Sequence, residues 1–352
     1  LTCVFMLRAN LESRLNRTWY GNSPPGFLLR TLERVYTRLA ANKQSRRRAA
    51  IPGDLADRPI VVVGNITAGG TGKTPLVIRL VQLLQETGVT PAVVSRGYGR
   101  RSKDLVLLSE GVPVSRSGDE PRLIHDRTGV EVAVSADRHA AARLLFQRGA
   151  DAVIADDGLQ RADFPRSYEI CVIDGARGFG NGHLLPAGPL RESPDRLGSV
   201  DAIVINEPTP GFYLAGEMAA AAIEMRLEHG ELHDLRNRMR RSIDEWVAEV
   251  GARTVLAVAG IGHPDRFFRL LQGLGIAFES RAFPDHHTYT AADFSGSEDT
   301  VIIMTEKDAV KCRSLELQNA WYLPVSARLP QDWEQAFTTR MRFLVESTRS
   351  VE

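Results

Sequence analysis

Lys73 and Thr74 close the stretch Val61-Val62-Val63-Gly64-Asn65-Ile66-Thr67-Ala68-Gly69-Gly70-Thr71-Gly72-Lys73-Thr74-Pro75. A β-branched apolar run enters a glycine-rich turn, and a helical pattern follows at Leu76, Val77, Leu80, Leu83 and Leu84. Strand, loop and helix in that order are the context a phosphate-binding loop requires. Glycines let backbone N–H groups crowd around a polyphosphate, and the helix N-terminus adds partial positive charge. In such a loop Lys73 reaches the β- and γ-phosphates and the Thr74 hydroxyl ligates Mg²⁺. The backbone of Thr67, Ala68, Gly69, Gly70, Thr71 and Gly72 then lines the nucleotide. One letter departs from the common pattern, because Thr67 stands where a glycine is expected. The alternative is an ordinary turn with a chance Gly-Lys-Thr, and the flanking strand and helix argue against it.

A polyphosphate site also needs a carboxylate for Mg²⁺, usually at the end of a buried strand. Val153-Ile154-Ala155-Asp156-Asp157 supplies one, and Val172-Ile173-Asp174 competes. Two adjacent carboxylates are costly to hold without a cation, which favours Asp156 and Asp157. Asp174 reads as a cap or turn residue. Phosphoryl transfer to an alcohol further needs a group that orients or deprotonates the acceptor. Asp119, in Gly118-Asp119-Glu120-Pro121, is one candidate, although Pro in a first helical turn makes a helix N-cap the stronger reading of these residues alone. The run Asp285-His286-His287 is the other, because an Asp–His pairing tunes a base towards neutral pH. The Gly- and Pro-rich loop from Gly178 to Glu192 is of a size that is often functional. Its Arg191 suits a phosphate clamp, and its Glu192 suits support for Mg²⁺ or Lys73.

These side chains need a frame. Short apolar runs at residues 60–63, 91–95, 105–108, 130–134, 152–155, 170–173 and 202–205 alternate with helical patterns. The alternation predicts an α/β fold of P-loop NTPase type, a mainly parallel sheet with helices on both faces. Ligands bind at the carboxyl ends of such strands, where the polar residues collect. Residues 223–227 and 231–235 alternate around Gly230 like a β-hairpin, and a second, smaller α/β unit follows. The expected division is a basic head at 1–50, a P-loop core domain at 51–215, a linker hairpin and helix at 216–250, and a smaller C-terminal α/β domain at 251–352.

The chain has 352 residues, 43% hydrophobic and 25% charged, an ordinary composition for a globular protein of about two domains. Cys3, Cys171 and Cys312 are odd in number and far apart, which reads as reduced thiols in the cytoplasm. No apolar run approaches the ~20 residues of a membrane span. Residues 1–50 carry ten Lys/Arg against Glu12 and Glu33, a net charge of +8 that leaves −7 for the rest of a chain totalling +1. Within this head a helix is expected from Phe27 to about Ala41. Leu28, Leu32, Val35, Tyr36 and Leu39 recur on one side, and Arg30, Arg34 and Arg38 step along another. Such a helix suits an anionic membrane surface, at about 1 kcal/mol per basic residue. A helix packed on the domain with a solvated basic face, or a nucleic-acid contact, fits the same residues.

Taken together, Asn65 to Pro75, Ser95 to Arg100, Gly118 to Pro121, Asp156 to Gln160, Gly178 to Glu192, Pro284 to His287 and Thr305 to Asp308 resemble, in content and order, the tetraacyldisaccharide 4′-kinase family of lipid A biosynthesis. The resemblance spans nearly the whole chain and includes Thr67 and the basic head. It implies a kinase using ATP and Mg²⁺ at the cytoplasmic face of the bacterial inner membrane. The implied acceptor is the 4′-hydroxyl of a tetraacyldisaccharide 1-phosphate, the implied product lipid IVA. The basic head would rest on the membrane surface, and neither nucleic acid nor an obligate protein partner is implied. By motif, Asp119 becomes the base on the acceptor hydroxyl, paired with His286 or His287, of which His286 is favoured. Lys73, Arg191 and Glu192 become catalytic support, and Thr74, Asp156 and Asp157 the metal site. Arg96, Tyr98 and Asn181 become substrate contacts. Arg161 departs from the family's pattern, which has His after Asp-Asp-Gly-x-Gln, so no role carries over to that side chain. A membrane-cycling ATPase or regulatory GTPase is the rival. Ala68 replaces the signature lysine of the former, and Thr305-Glu306-Lys307-Asp308 lacks the Asn-Lys of the latter's guanine reader.

The head generates a direct expectation. Deleting residues 1–48 should weaken co-sedimentation with anionic vesicles, whereas unchanged sedimentation would move the anchor elsewhere in the chain.

Overall fold

The computed structural model describes residues 14–21, 23–48, 52–100, 102–210, 212, 214, 216–294 and 299–350. Residues 1–13 of the basic head therefore lie outside the described residues. The strands run in chain order as β1 (Ile60–Gly64), β2 (Pro91–Ser95), β3 (Val106–Leu107), β4 (Val132–Val134), β5 (Ala152–Ala155), β6 (Tyr168–Asp174), β7 (Ala202–Asn206), β8 (Ala222–His229), β9 (Leu232–Asp234), β10 (Arg240–Arg241), β11 (Val255–Ala259), β12 (Glu279–Ala282), β13 (Val301–Thr305), β14 (Ala320–Leu323) and β15 (Val325–Arg328).

Among the described residues one sheet has the order β15-β8-β7-β6-β1-β5-β2-β4-β3. All its pairs are parallel except β3 with β4 and β15 with β8. β1 is buried on both faces, which is why it reads as an unbroken apolar run. Val61 and Val63 pack into the core under the helix Lys73–Glu86, while Ile60 and Val62 pack with Ala141, Ala142 and Leu145 of the helix Arg138–Gln147. The expected α/β sheet with helices on both faces is thus present. The second sheet has the order β10-β9-β14-β13-β11-β12, parallel from β14 to β12.

Two features differ from expectation. β8 and β9 do not pair with each other as a hairpin. β8 pairs with β7 and β15 in the first sheet, β9 with β14 and β10 in the second. Alternation identifies a strand but carries no record of its partner, and Gly230 lets the chain cross directly between sheets. The C-terminal residues also return to the first sheet, through β15 and the helix Gln331–Arg349, which buries Phe337, Met341 and Val345 and pairs Glu334 with Arg79 at 2.7 Å. The two crossings lie side by side, with the Gly230 N–H donating to the Pro324 carbonyl at 2.9 Å.

The helix Phe27–Arg48 is longer than expected. It turns Leu29, Glu33 and Tyr36 towards the protein and leaves Phe27, Leu28, Leu32, Val35 and Leu39 exposed, Phe27 at 86%. Arg30, Arg34 and Arg38 are exposed as well. No helix among the described residues is long and apolar enough to cross a membrane.

Candidate functional site

The loop after β1 is held open by one side chain. Asn65 Nδ2 donates to the Thr67 carbonyl at 2.8 Å and reaches the Gly69 carbonyl at 3.4 Å. Its Oδ1 accepts from Lys73 Nζ at 3.1 Å, and Lys73 also lies 3.4 Å from Asp157 Oδ1. Gly72 closes the loop at φ +86, and a Cβ there would fall 2.1 Å from Asn206 Nδ2 at the end of β7. Asn206 in turn donates to the Thr71 carbonyl at 3.0 Å. The helix Lys73–Glu86 begins without a side-chain cap. Its first N–H groups therefore remain available to an anion.

Thr67 fits its position for a visible reason. It forms an antiparallel bridge with Leu190, so the backbone there needs no left-handed residue. The same contact ties the phosphate loop to the Gly178–Glu192 loop. Ala68 N–H donates to the Pro189 carbonyl at 2.7 Å, and Arg191 N–H to the Ile66 carbonyl at 2.6 Å. Gln160 Nε2 donates to the Asn65 carbonyl at 2.7 Å, and its Oε1 accepts from Arg191 Nη1 at 3.3 Å.

Asp156 and Asp157 leave the end of β5 in different states. Asp156 is buried, accepts from Ser95 Oγ at 3.3 Å and has no partner for Oδ1. Burial, together with the negative charge of Glu120, pushes its carboxyl up to about 7. For Asp157 burial acts the same way but is outweighed by Lys73, Arg191 and Arg138, which hold it at about 2. Arg191 Nη1 sits 3.5 Å from Asp157 Oδ1. Arg138 was not foreseen. It is buried and donates to the carbonyls of Asp156 and Asp157 at 3.0 and 2.8 Å. In sequence it follows the helix cap Asp137 and looks like any solvated first-turn arginine.

Asp119 begins the helix Asp119–Thr128, while Gly118 occupies the cap position at φ +87. The N-cap reading of Asp119 is therefore corrected. Its carboxylate, buried at 4% exposure, faces His286, whose Nδ1 is 3.0 Å from both oxygens. Burial alone would raise the Asp119 carboxyl, yet Lys307 and His286 hold it well below the usual carboxylate range. Burial likewise disfavours the His286 imidazolium, but the hydrogen bond it donates to Asp119 leaves its pKa raised. His287 points elsewhere, 3.3 Å from Asp293 Oδ2 and stacked on Phe283. Tyr98 lies with its ring 5.0 Å from that of His286. A cavity of about 560 Å³ opens beside the pair, with Tyr98, Asp119, Arg122, Lys311 and Arg313 on its walls. Gly262 links this region to the phosphate loop, since a Cβ there would come 3.1 Å from Gly70 N and 3.4 Å from Asp285 Oδ2, and Asp285 Oδ2 lies 3.7 Å from His286 Nε2.

The remaining expected residues divide. Arg96 is exposed after β2. Glu192 lies 3.6 Å from Arg196 and hydrogen-bonds to Gln160; among the described residues it makes no ion pair with Lys73. Asn181 uses its amide within the scaffold, donating to the Thr18 and Ala187 carbonyls at 3.1 and 3.0 Å and accepting from His183 N. Its amide thus braces the loop. Arg161 forms a two-pronged pair with Asp163 at 2.9 Å. Among the described residues no cluster of three or more His, Cys, Asp or Glu could hold a metal. An ion at Asp156 and Asp157 would complete its shell with a hydroxyl, water and phosphate oxygens.

Comparison with known proteins agrees with this geometry. A family model described as "Tetraacyldisaccharide-1-P 4′-kinase" matches residues 26–342. The chain is 42% identical over 346 residues to a tetraacyldisaccharide 4′-kinase of Xylella fastidiosa (strain M23), covering 95% of this chain and 98% of that protein. It is 45% identical over 329 residues to a tetraacyldisaccharide 4′-kinase of Xanthomonas euvesicatoria pv. vesicatoria (strain 85-10), covering 89% and 91%. Among solved structures it is similar to the "apo" form of LpxK from Aquifex aeolicus in complex with ATP, with a TM-score of 0.68 and 26% identity over 89% of this chain and 99% of that one.

The tight approach at Gly72 supplies a test of the loop. Gly72→Ala should weaken binding of a fluorescent ATP analogue roughly 10-fold or more, because the added methyl must displace Asn206 and strain left-handed backbone. Wild-type affinity would show that the loop's shape does not depend on this contact.

Proposed function

The chain belongs to the tetraacyldisaccharide 4′-kinase family, and on that premise we propose how its residues divide the work. The enzyme binds ATP and transfers the γ-phosphoryl group to the 4′-hydroxyl of a tetraacyldisaccharide 1-phosphate, a step of lipid A biosynthesis. The observation that carries the residue assignment is the Asp119–His286 contact at 3.0 Å beside the phosphate loop.

Lys73 and the N–H groups from Gly69 to Thr74 hold the β- and γ-phosphates, since the Ala68 N–H is engaged by the Pro189 carbonyl. Arg191, 3.5 Å from Asp157, supplies further positive charge where negative charge spreads over the transferred group. Thr74, Asp156 and Asp157 would hold Mg²⁺. The fit rests on a buried, unpartnered Asp156 oxygen beside an Asp157 kept ionised by surrounding cations. When bound, the ion neutralises phosphate charge and orients the γ-phosphoryl group. The cavity next to Tyr98 is the acceptor's approach, with Arg96 nearby on the same loop.

Asp119 takes the proton. As the 4′-oxygen bonds to the γ-phosphorus, the bond to the bridging oxygen breaks and the hydroxyl proton passes to the Asp119 carboxylate. His286 fixes the orientation of that carboxylate through Nδ1. A carboxylate held at low pKa is a weak base, so it accepts the proton late, as a loose phosphoryl-transfer transition state requires.

The helix Phe27–Arg48 lies on the membrane surface. Its exposed Phe27, Leu28, Leu32, Val35 and Leu39 would enter the interface, with Arg30, Arg34 and Arg38 against anionic headgroups. Such a contact supports our assignment of the enzyme to the cytoplasmic face of the inner membrane, next to its lipid acceptor.

Incubation with [γ-³²P]ATP, Mg²⁺ and tetraacyldisaccharide 1-phosphate, followed by chromatography, tests the activity; an unlabelled lipid would refute it. Asp119→Ala should keep ATP affinity within a few-fold while turnover falls by roughly 10²–10⁴. Near-normal turnover would remove Asp119 from the role of proton acceptor.

A further inference from the structure

Lys307 is a cation, 15% exposed, to which the mechanism above assigns no task. It follows β13 in the helix Glu306–Cys312. Its Nζ lies 2.9 Å from Glu120 Oε1, 3.2 Å from Asp285 Oδ1 and 3.8 Å from Asp119 Oδ2. Three carboxylates from two elements therefore converge on one ammonium. Its neighbours in the motif are engaged elsewhere. Glu306 pairs with Arg127 at 2.7 Å. Asp308 accepts from Thr305 Oγ1, Gly260 N and Tyr289 Oη, at 2.6, 2.9 and 3.0 Å.

The chemistry of the side chain suits the place. An ammonium offers three donors in divergent directions, whereas a guanidinium offers a planar fork. Burial works against the charged form, but Glu120, Asp119 and Asp285 outweigh it and raise the Lys307 pKa well above its ordinary value. The other titratable groups facing the cluster are His286, from the loop that carries Asp285, Lys311, from the helix that carries Lys307, and Asp156, at the end of β5, on which the charge of Glu120 acts. Of the charges acting on Asp119, that of Lys307 is foremost, and it acts on His286 in the same direction.

We propose that Lys307 is a positioning residue for phosphoryl transfer, which gathers Asp119, Glu120 and Asp285 into one cluster across the two sheets and keeps Asp119 free to accept the acceptor's proton. The proposal rests on the reading of Asp119 as that acceptor. Without the ammonium, three carboxylates would crowd each other in a site of low polarity. Asp119 and His286 would then both hold protons to higher pH, and the acidic limb of the turnover profile would move up.

The test is kcat against pH for the full-length enzyme at saturating ATP and acceptor lipid. Lys307→Met keeps the stem and removes the charge; its acidic limb should move up by about 1–3 pH units, the effect of one opposite charge at this range. Lys307→Arg keeps the charge with altered geometry and should lower turnover without moving the limb. A loss in Lys307→Met that is equal at every pH, with the limb in place, would overturn the proposal and leave Lys307 a structural residue. If Lys307→Met shows no cooperative thermal transition, Asp285→Asn decides. Removing one carboxylate from the cluster should move the limb down, and an unmoved limb there would equally overturn the proposal. Asp119→Ala, measured in parallel, separates the two readings. If it remains active the premise fails, and if it is inactive while the limb stays put only the role of Lys307 fails.

Discussion

Buried negative charge is the constraint on which this site depends. Asp119 and Asp156 are almost fully buried, and Asp157, Glu120 and Asp285 stand close by. Carboxylates in such surroundings stay ionised only beside cations, each worth about 1–3 units of pKa at contact range. Each cation arrives from a different part of the chain. Lys73 comes from the phosphate loop, Arg138 from a helix start, Arg191 from the Gly178–Glu192 loop, His286 and Lys307 from the second sheet's connections. Asp156 differs: burial and the charge of Glu120 outweigh Lys73 and Arg138 and push its carboxyl up to about 7. Among the described residues its Oδ1 has no hydrogen-bond partner.

The second dependence is mechanical. The Gly178–Glu192 loop touches the phosphate loop on one side and the N-terminal helices on the other. Towards the nucleotide it bonds through Pro189 and Arg191 to Ala68 and Ile66. Towards the N-terminus, Trp19 Nε1 donates to the Pro186 carbonyl at 3.0 Å and Tyr36 Oη to the Arg191 carbonyl at 3.0 Å. Glu33 accepts from Leu184 N–H at 2.7 Å and lies 3.1 Å from His183 Nδ1. These bonds fix which face of the helix Phe27–Arg48 turns outward. Its apolar stripe faces away from the protein because its polar and aromatic contacts are made on the inner side.

The strand–loop–helix unit at Lys73, the sheet class and the position of Asp156 and Asp157 at a strand end were legible because each rests on local pattern: a glycine turn at fixed spacing, runs buried on two faces, and charges after an apolar run. Arg138 was not, since nothing in its neighbours separates a buried arginine from a solvated one. The pairing of β8 and β9 failed for a similar reason, as period-two alternation is blind to partners. Asn181 and Glu192 sit in a loop bonded to the phosphate loop, and their own bonds to Thr18, Ala187 and Gln160 leave no mark in the sequence. In a loop of this kind much of the polar inventory holds the backbone in shape, and chemistry is left to one or two side chains. Arg161 shows the same economy, for its guanidinium is engaged locally by Asp163, and the positive charge near Asp157 comes from Arg138 and Arg191 instead.

The choice of His286 over His287 could be decided only in three dimensions, and it shows why the site needs both sheets. Asp119 belongs to a helix of the first sheet, while His286, Asp285 and Lys307 belong to connections of the second. The sheets are joined covalently at two adjacent crossings, Gly230 and Pro324, which are bonded to each other. A joint that narrow would let the halves rotate were it not for contacts near the site. The helices Asp119–Thr128 and Glu306–Cys312 supply them, through Arg127 with Glu306, Arg313 with Asp126 and Lys307 with Glu120. All three are charge pairs between the same two helices or their ends. The Asp119–His286 pair is therefore aligned by an electrostatic seam, and its geometry follows from how that seam closes.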